Sequence, residues 1–237
     1  KELSLNERPE LDRWIISELN SLISEVDGHY SNYEPTKAAR AISDFVQLYL
    51  SNWYVRLSRR RFWKGSYSQD KISAYQTLYK CLKDISIISS PIAPFFMDRL
   101  YKDLVNCTGK DVLDSVHHEN FPAYNESNIN PSLQQKIRKA QTICSLALSL
   151  RKKEKIKVRQ PLSKIMIPYL NDLEKKEIVE ISDLIKSEVN IKEVELISNS
   201  SGILIKKVKP NFKTLGPKLG KKLSKAIEKI KNLNESE

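Results

Sequence analysis

The residues with the clearest chemistry lie in one run, residues 52–65, which reads NWYVRLSRRRFWKG. Five cations fall within nine residues of this run, three aromatic side chains lie among or beside them, and no acidic residue interrupts them. Guanidinium groups beside flat rings suit phosphates and unstacked bases, so the run predicts a nucleic-acid contact. The alternative interpretation is a solvated helix end whose tryptophans anchor a core.

A helix through this run would have two faces, because successive residues turn by about 100°. One face is apolar and passes through Leu50, Trp53 and Leu57. Arg61 falls about 40° from Leu57 on that face, so we expect it to be partly buried and paired with a carboxylate. The opposite face and its end are predicted to bind RNA through Tyr49, Asn52, Arg56, Arg59, Arg60, Trp63 and Lys64.

Two further basic clusters lie towards the C-terminus. Residues 151–159 contain six cations and one glutamate, and residues 206–231 carry a net charge of +9, whereas the first 205 residues carry only +4. Such concentrated charge favours a polyanion, and three clusters favour RNA over a merely solvated surface. The predicted RNA contacts in these clusters are Arg151, Lys152, Lys153, Arg159, Lys213, Lys218, Lys221 and Lys225.

Catalytic groups of comparable clarity are not found. His117 and His118 lie beside Glu119 in a predicted loop, but neighbouring histidines in a loop rarely chelate one ion. The three cysteines have no metal-ligand spacing, and neither a glycine-rich phosphate loop nor a nucleophile motif occurs. We therefore expect no catalytic residue, no metal site and no cofactor in this chain.

Hydrophobic periodicity predicts five amphipathic helices and then a smaller mixed module. The helices are predicted at residues 9–27, 34–62, 70–90, 91–108 and 131–153. The module is predicted to contain strands at 164–168, 191–197 and 203–208 and helices at 172–187 and 216–233. The fold class is therefore mainly α, with an antiparallel helical bundle in residues 1–160 and a small α+β module in residues 161–237.

Single residues mark some of the predicted boundaries. Gly28 is expected to stop the first helix, Asp70 to cap the third, and Pro91 to break it. The buried stripe of the third helix is predicted to contain Ile72, Tyr75, Leu78, Tyr79, Leu82 and Ile85.

The same sequence gives expectations about location. No apolar run approaches the ~20 residues of a membrane span, and the first residues do not form a signal peptide. The separated cysteines are typical of reduced thiols. We expect a cytoplasmic monomer without a membrane partner, and we interpret the start without Met as a cut through a longer chain.

Six segments resemble the C-terminal part of isoleucyl-tRNA synthetases, which are class Ia tRNA ligases. In chain order they are LDRWIISELNSL (11–22), NWYVRLSRRRFW (52–63), ISSPIAPFFMDRLY (88–101), SVHHENFP (115–122), RKKEKIKVRQPLSKIMIP (151–168) and VKPNFKTLGPKLGK (208–221). Valyl- and leucyl-tRNA synthetases share the fourth and fifth segments more loosely. The last segment resembles the isoleucyl enzymes of the eukaryote-like subgroup, which lack a C-terminal zinc ribbon, and no four-cysteine pattern occurs here.

The resemblance implies the anticodon-binding helical bundle of a class Ia synthetase and the α/β module behind it. The whole enzyme uses ATP with magnesium to attach isoleucine to its tRNA, but its HIGH and KMSKS motifs are absent from this sequence. The chain would thus bind isoleucine tRNA without catalysis of its own, beside the catalytic and editing domains of the same enzyme. The family motifs fall on Asn52, Trp53, Tyr54, Arg56, Arg59, Arg61, Arg159, Gln160 and Pro161.

Two other interpretations stay open at this point. The chain could be the same region of a valyl- or leucyl-tRNA synthetase. It could also be a free-standing helical scaffold with a basic surface for protein interaction.

Overall fold

A computed structural model of the protein describes residues 2–63, 66–109 and 113–198. Helices dominate these residues, and a two-stranded sheet follows them. The predicted fold class, a helical bundle followed by a small mixed module, is confirmed. The chain divides into a first unit, Lys1–Lys139, and a second unit, Ala140–Glu237. The domain boundary between residues 160 and 161 stays a prediction.

Four helical rods joined by short connections form the bundle of the first unit, so that neighbouring rods run antiparallel. In chain order the helices are α1 (Glu10–Ser31), α2 (Pro35–Asp44), a π-helical segment (Phe45–Val55), α3 (Arg56–Trp63), α4 (Gln69–Ser89) and α5 (Pro94–Thr108). The second rod comprises α2, the π segment and α3 without a break, as the predicted helix 34–62 requires. A further helix, α6 (Pro131–Lys153), begins in the first unit and matches the prediction.

The first helix is the centre of the bundle core. Trp14, Ile15 and Leu19 on α1 are fully buried, at the spacing that a 3.6-residue helix places on one side. The predicted stop at Gly28 is wrong, because α1 continues to Ser31. Glycine costs only about 1 kcal/mol within a helix. The Gly28 carbonyl also accepts hydrogen bonds from the backbone and side-chain nitrogens of Asn32, which complete the last turn.

Helix α4, which corresponds to the predicted third helix, has its N-cap two residues before the predicted cap at Asp70. Ser68 is the N-cap of α4, and its hydroxyl accepts a hydrogen bond from the Lys71 backbone nitrogen at 3.3 Å. Asp70 therefore lies inside the first turn, where a carboxylate is favoured by the helix dipole. The helix ends at Ser89, just before the predicted break at Pro91.

The buried face of α4 differs from the predicted stripe. Tyr75 is half exposed, and of the predicted residues only Ile85 is fully buried. Small residues such as Ser73, Ala74 and Cys81 occupy the interior instead. The second rod approaches α4 closely at this point, since the Tyr54 hydroxyl lies 3.2 Å from the Ala74 carbonyl.

Helix α5, which corresponds to the predicted fourth helix, is followed by Gly109 as its C-cap. The φ of Gly109 is 61°, which suits glycine better than any other residue. The buried residues of α5 are Tyr101 and Val105, which pack with Ile87 and Val116. The irregular segment predicted for residues 108–130 contains two short 3₁₀ turns, Val116–His118 and Glu126–Asn128.

One carboxylate holds the first of these turns against α5. Asp98 Oδ1 accepts hydrogen bonds from the Ser115 hydroxyl at 2.7 Å and from the Val116 backbone nitrogen at 3.0 Å, and Lys102 Nζ lies 2.7 Å from its Oδ2. The hydrogen bonds from Lys102, Ser115 and Val116 lower the pKa of Asp98 far below its usual range.

We expect Asp98→Ala to lower the melting temperature at pH 7, because the three donors lose their acceptor. A lowered pKa contributes stability that is present above the unfolded value of about 3.9 and is lost as the pH falls towards the folded value. Thermal melts from pH 8 to pH 2 should therefore show a constant difference from the wild type down to about pH 4 and a shrinking one below it.

Asp103→Ala is the matched control, since Asp103 on the same helix forms an exposed ion pair with Arg99, and such a pair contributes little to stability. A difference between the wild type and Asp98→Ala that closes between pH 7 and pH 5 would contradict the assignment of this stability to the Asp98 carboxylate.

The second unit continues α6 with a β–α–α–β arrangement. Its elements are β1 (Leu162–Tyr169), α7 (Asp172–Glu180), α8 (Ser182–Val189) and β2 (Ile191–Ser198). The strands are parallel, from Leu162 opposite Ile191 to Tyr169 opposite Ser198, and the two helices supply the crossover that parallel pairing needs. The prediction of a single helix at 172–187 is wrong. The helical structure is interrupted at Ile181, whose side chain is buried, and this divides the segment into α7 and α8.

The predicted strand at 203–208 and helix at 216–233 lie outside the described residues. None of the helices in the described part of the chain combines the length and the apolar composition of a membrane span.

Candidate nucleic-acid interface

The π-helical segment sets which side chains of the second rod face the core. Its wider turn brings residues five apart onto one side, and Phe45 and Leu50 are both buried. The buried side then continues through Tyr54 and Ser58. A uniform α-helix would have buried Leu57 rather than Ser58, and Leu57 is only half-buried. The π segment thus sets the direction in which the arginines of α3 point.

Arg61 fastens the end of α3 to the bundle. Its Nη1 and Nη2 donate to the two carboxylate oxygens of Asp12 at 2.6 and 2.8 Å, and its Nε donates to Asp70 Oδ2 at 3.0 Å. Asp12 is fully buried, and the Arg61 side chain is 16% exposed. The prediction that Arg61 is partly buried and paired with a carboxylate is confirmed.

The Asp12 carboxylate collects two more donors from inside the bundle. The Tyr54 hydroxyl donates to Oδ1 at 3.0 Å, and the Ser73 hydroxyl donates to Oδ2. Burial, with Asp12 beside it, raises the pKa of Tyr54 well above its usual range, so the phenol keeps the proton that it donates. Burial alone would lower the pKa of Arg61, but the hydrogen bonds to Asp12 and Asp70 outweigh it and raise that pKa. Arg61 therefore keeps its positive charge, and its guanidinium and the Asp12 carboxylate are both fully hydrogen-bonded.

A second contact holds α3 on α4 beside this pair. The rings of Phe62 and Tyr75 meet edge to face at 5.3 Å, and the Tyr75 hydroxyl donates to the Phe62 carbonyl at 3.3 Å. Both contacts fix the rotation of α3 about its axis. The side chains on its outer side are consequently presented in fixed directions.

Five predicted RNA contacts lie on that outer side, which we call the α3 face. They are all exposed, Trp63 to 82%: Asn52, Arg56, Arg59, Arg60 and Trp63. The Arg56 side chain is ordered by a hydrogen bond from its Nε to the Asn52 carbonyl at 2.7 Å. Arg59 and Arg60 form no ion pair with any residue that the structure describes. The α3 face thus offers cations and a flat ring on the exposed side of the second rod.

Two other residues that were predicted to contact RNA, Tyr49 and Lys64, are not part of the α3 face. The ring of Tyr49 is half-buried and packs edge to face against Trp14 at 6.1 Å and Phe45 at 6.3 Å. It therefore supports the core beneath the α3 face. Lys64 lies outside the described residues.

The second basic cluster divides into one buried and several exposed cations. Arg151 is only 4% exposed, and its guanidinium donates four hydrogen bonds to backbone carbonyls. Its place among the predicted RNA contacts is therefore corrected: it is a structural residue. Lys152, Lys153 and Arg159 are exposed, as an RNA contact requires. The third cluster, with Lys213, Lys218, Lys221 and Lys225, lies outside the described residues.

The His117–His118 pair and its neighbour do not converge on one point. Glu119 accepts a hydrogen bond from the Tyr101 hydroxyl at 2.6 Å and pairs with Lys83 Nζ at 3.0 Å. Burial of the phenol and the bond to Glu119 raise the pKa of Tyr101 to about 12. Within the described ranges, no three His, Cys, Asp or Glu side chains lie close enough to hold a metal ion.

Sequence reasoning missed three parts of this site: the π segment, Asp12 as the partner of Arg61, and Arg151 as a buried residue. A signal existed for Asp12, since it lies four and seven residues before Ile16 and Leu19 and hence in phase with the apolar stripe of α1. A carboxylate in that phase indicates a buried partner.

Comparison with known proteins adds an independent finding. Residues 12–166 match the family model of the anticodon-binding domain of tRNA ligase. The chain is 51% identical over 234 residues to the isoleucine-tRNA ligase of Bacteroides fragilis, covering 99% of this chain and 20% of that protein. It is 52% identical over 232 residues to that of Cytophaga hutchinsonii, covering 98% and 21% of the two chains. With that of Clostridium tetani it shares 38% identity over 226 residues, covering 95% and 21%. The chain thus spans about a fifth of the length of these relatives.

Proposed function

Because the chain belongs to the anticodon-binding domains of tRNA ligases, we propose that it binds tRNA and that the α3 face is its main contact. The observation that carries this proposal is the Arg61–Asp12 pair. Arg61 is the arginine of the run that points into the bundle, where Asp12 binds it, whereas Arg56, Arg59 and Arg60 are exposed on the outside.

The chemistry of the α3 face suits single-stranded RNA. Guanidinium groups bind phosphate oxygens through two parallel hydrogen bonds, and they fix the position of the RNA without reading its sequence. The exposed indole of Trp63 offers a surface on which an unpaired base stacks. A tRNA loop presents unpaired bases and phosphates together, since its bases are splayed and its phosphates follow a tight bend.

The names of the relatives support a more specific assignment. We infer that the chain is part of an isoleucine-tRNA ligase and binds isoleucine tRNA, with ATP and magnesium used by a catalytic domain elsewhere in a longer cytoplasmic protein. The relatives named above favour isoleucine over the valyl and leucyl alternatives. The match to the family model weighs against a free-standing scaffold. Membership in the eukaryote-like subgroup stays a proposal that rests on residues 208–221.

Other basic residues extend the proposed contact beyond the α3 face. These are the exposed Lys152, Lys153 and Arg159 of the second cluster, together with Lys64, Lys213, Lys218, Lys221 and Lys225. Lysines act as point charges, so they add affinity without much sequence preference.

We expect the chain to retain isoleucine tRNA in filter binding and to lose affinity steeply between 50 and 200 mM salt. Each neutralised phosphate contributes roughly 0.7–0.9 to the log–log slope. The double variant Arg59→Gln with Arg60→Gln should reduce that slope by roughly 1.4–1.8. Purified chain should show no ATP–pyrophosphate exchange.

Lys176→Gln with Lys192→Gln is the control, because it removes the same charge from two exposed positions outside the proposed contact. An equal loss of slope in the control would show that only net charge matters. Absence of tRNA retention at 50 mM salt would overturn the proposal, and isoleucine-dependent exchange would contradict the placement of catalysis elsewhere.

A further inference from the structure

The last two residues of α6, Lys152 and Lys153, and the connection that leads from α6 to β1 form an exposed, charged segment whose backbone is held by hydrogen bonds. We call residues 152–159 the basic linker. Ile156 donates its backbone N–H to the Arg151 carbonyl at 2.9 Å, and Gln160 donates to the Lys157 carbonyl at 3.0 Å. Lys155 has a φ of 57°, which lets the chain reverse direction after the helix. Two side chains from outside the linker then hold it in place.

Arg151 is the first of these side chains. Its Nη1 donates to the carbonyls of Lys157 at 3.2 Å and Gln160 at 3.0 Å. Its Nη2 donates to the carbonyls of Val189 at 2.8 Å and Asn190 at 3.1 Å. A buried cation needs such acceptors to offset its lost hydration. The guanidinium thereby ties the linker to the turn between α8 and β2.

Asn190 is the second side chain. It has left-handed backbone angles, φ 52° and ψ 59°, and its Nδ2 donates to the carbonyls of Val158 and Arg159, both at 3.0 Å. Its own carbonyl accepts the backbone N–H of Leu162 at 3.2 Å, where β1 begins. Together with Arg151, it binds the carbonyls of four successive residues, 157–160.

This arrangement separates the charges of the linker. The negative ends of four peptide dipoles point to Arg151 and Asn190, whereas five cations are exposed: Lys152, Lys153, Lys155, Lys157 and Arg159. None of the five forms an ion pair with a residue that the structure describes. Glu154 is the single acidic residue of the linker. A segment of this kind presents several cations at fixed spacing to an anion.

We propose that Arg151 and Asn190 are positioning residues for RNA binding, which hold the basic linker in one conformation that meets successive RNA phosphates. The inference rests on the proposed function for its ligand, but the geometry of the linker does not depend on it. A linker that is already ordered loses less conformational freedom on binding, and affinity rises accordingly. Neither residue contacts the RNA itself, since Arg151 is buried and the Asn190 amide faces the linker.

Asn190→Gly is the sharpest test, because glycine adopts the same left-handed angles and only the amide donor is lost. In the full chain we expect faster trypsin cleavage after the linker cations and roughly five- to tenfold weaker binding of isoleucine tRNA. The log–log slope against salt should stay unchanged, since every cation is retained. Charge removal by Lys152→Gln with Lys155→Gln should instead reduce the slope by roughly 1.4–1.8.

Asn171→Gly is the matched control. Asn171 caps α7 in the same unit through a bond from the Glu174 backbone nitrogen to its Oδ1 at 2.8 Å, so its loss weakens the module without freeing the linker. It should leave both linker cleavage and tRNA affinity at the wild-type values. Equal loss of affinity in Asn171→Gly would show that any weakening of the module suffices and would overturn the inference.

These experiments distinguish a failure of the proposed tRNA binding from a failure of the positioning role of Arg151 and Asn190. If wild-type chain binds no tRNA, the proposed function fails, and the trypsin experiment still tests whether Asn190 orders the linker. If Asn190→Gly leaves the linker as resistant to trypsin as in the wild type, the positioning role is refuted. If the linker is cleaved faster but tRNA affinity is unchanged, the ordered linker is irrelevant to RNA binding.

Discussion

Asp12→Ala is expected to lower the free energy of unfolding by about 3–5 kcal/mol, as the removal of one partner of a buried ion pair does. Asp12 is fully buried and accepts two hydrogen bonds from Arg61 and one each from Tyr54 and Ser73. Alanine leaves these donors inside the bundle without their acceptor. Urea unfolding followed by circular dichroism measures the loss directly.

Arg61→Ala tests the same pair from the other side. It should also destabilise the bundle, and the double variant should lose much less than the sum of the two single losses, because both changes remove one interaction. Asp27→Ala is the control on the same helix, since Asp27 is exposed and its replacement should stay within about 0.5 kcal/mol. Additive losses in the double variant would mean that the pair is not coupled.

The helices could be predicted from the sequence because their signals are local. Apolar spacing placed α6 at its observed bounds, and Pro91 marked the end of α4, which the structure confirms. The face of α4 could not be predicted in this way. Its interior is determined by how closely the second rod approaches, which favours Ser73 and Ala74 over larger neighbours. Close approach is a tertiary property that periodicity does not contain.

The directions of the arginine side chains were predicted from their positions around a regular α-helix, although the prediction did not include the π-helical segment before α3. A 100° step correctly separated Arg61 from Arg59 and Arg60. It did not foresee the π segment, because the extra residue per turn between Phe45 and Leu50 leaves no mark in composition. The prediction held because α3 is regular again from Arg56 onward, so relative phases within it are those of an ordinary helix.

Arg151 could not be separated from its neighbours by charge. Three successive cations end α6, and only the fold shows that one of them points to the carbonyls of Val189 and Asn190, nearly forty residues later in the chain. A long-range contact to backbone atoms depends on no particular side chain at the partner positions. Sequence patterns therefore carry no signal for it, whereas an ion pair such as Arg61–Asp12 at least requires a carboxylate in the buried phase of a helix.

Trp53 in the π segment and Trp63 in α3 allow the effect of a substitution on stability to be distinguished from its effect on RNA binding. Trp53 is 8% exposed, so Trp53→Ala should cost about 3–5 kcal/mol of folding free energy through the lost burial and the cavity that remains. Trp63 is 82% exposed, so Trp63→Ala should change stability by less than about 0.5 kcal/mol. Its loss should instead weaken tRNA binding by roughly 1–3 kcal/mol, the range for one base stacked on an aromatic side chain.

The comparison is decisive because the two variants remove the same side chain. Urea unfolding and filter binding with isoleucine tRNA are measured for both, at a temperature where Trp53→Ala is still folded by circular dichroism. Trp63→Phe should recover most of the lost affinity, since a phenyl ring still stacks on a base, whereas Trp63→Leu should not. Equal stability losses in Trp53→Ala and Trp63→Ala would refute the predicted orientation of this rod. Unchanged tRNA affinity in Trp63→Ala would remove the indole from the proposed contact and leave the arginines of the α3 face as its only supported part.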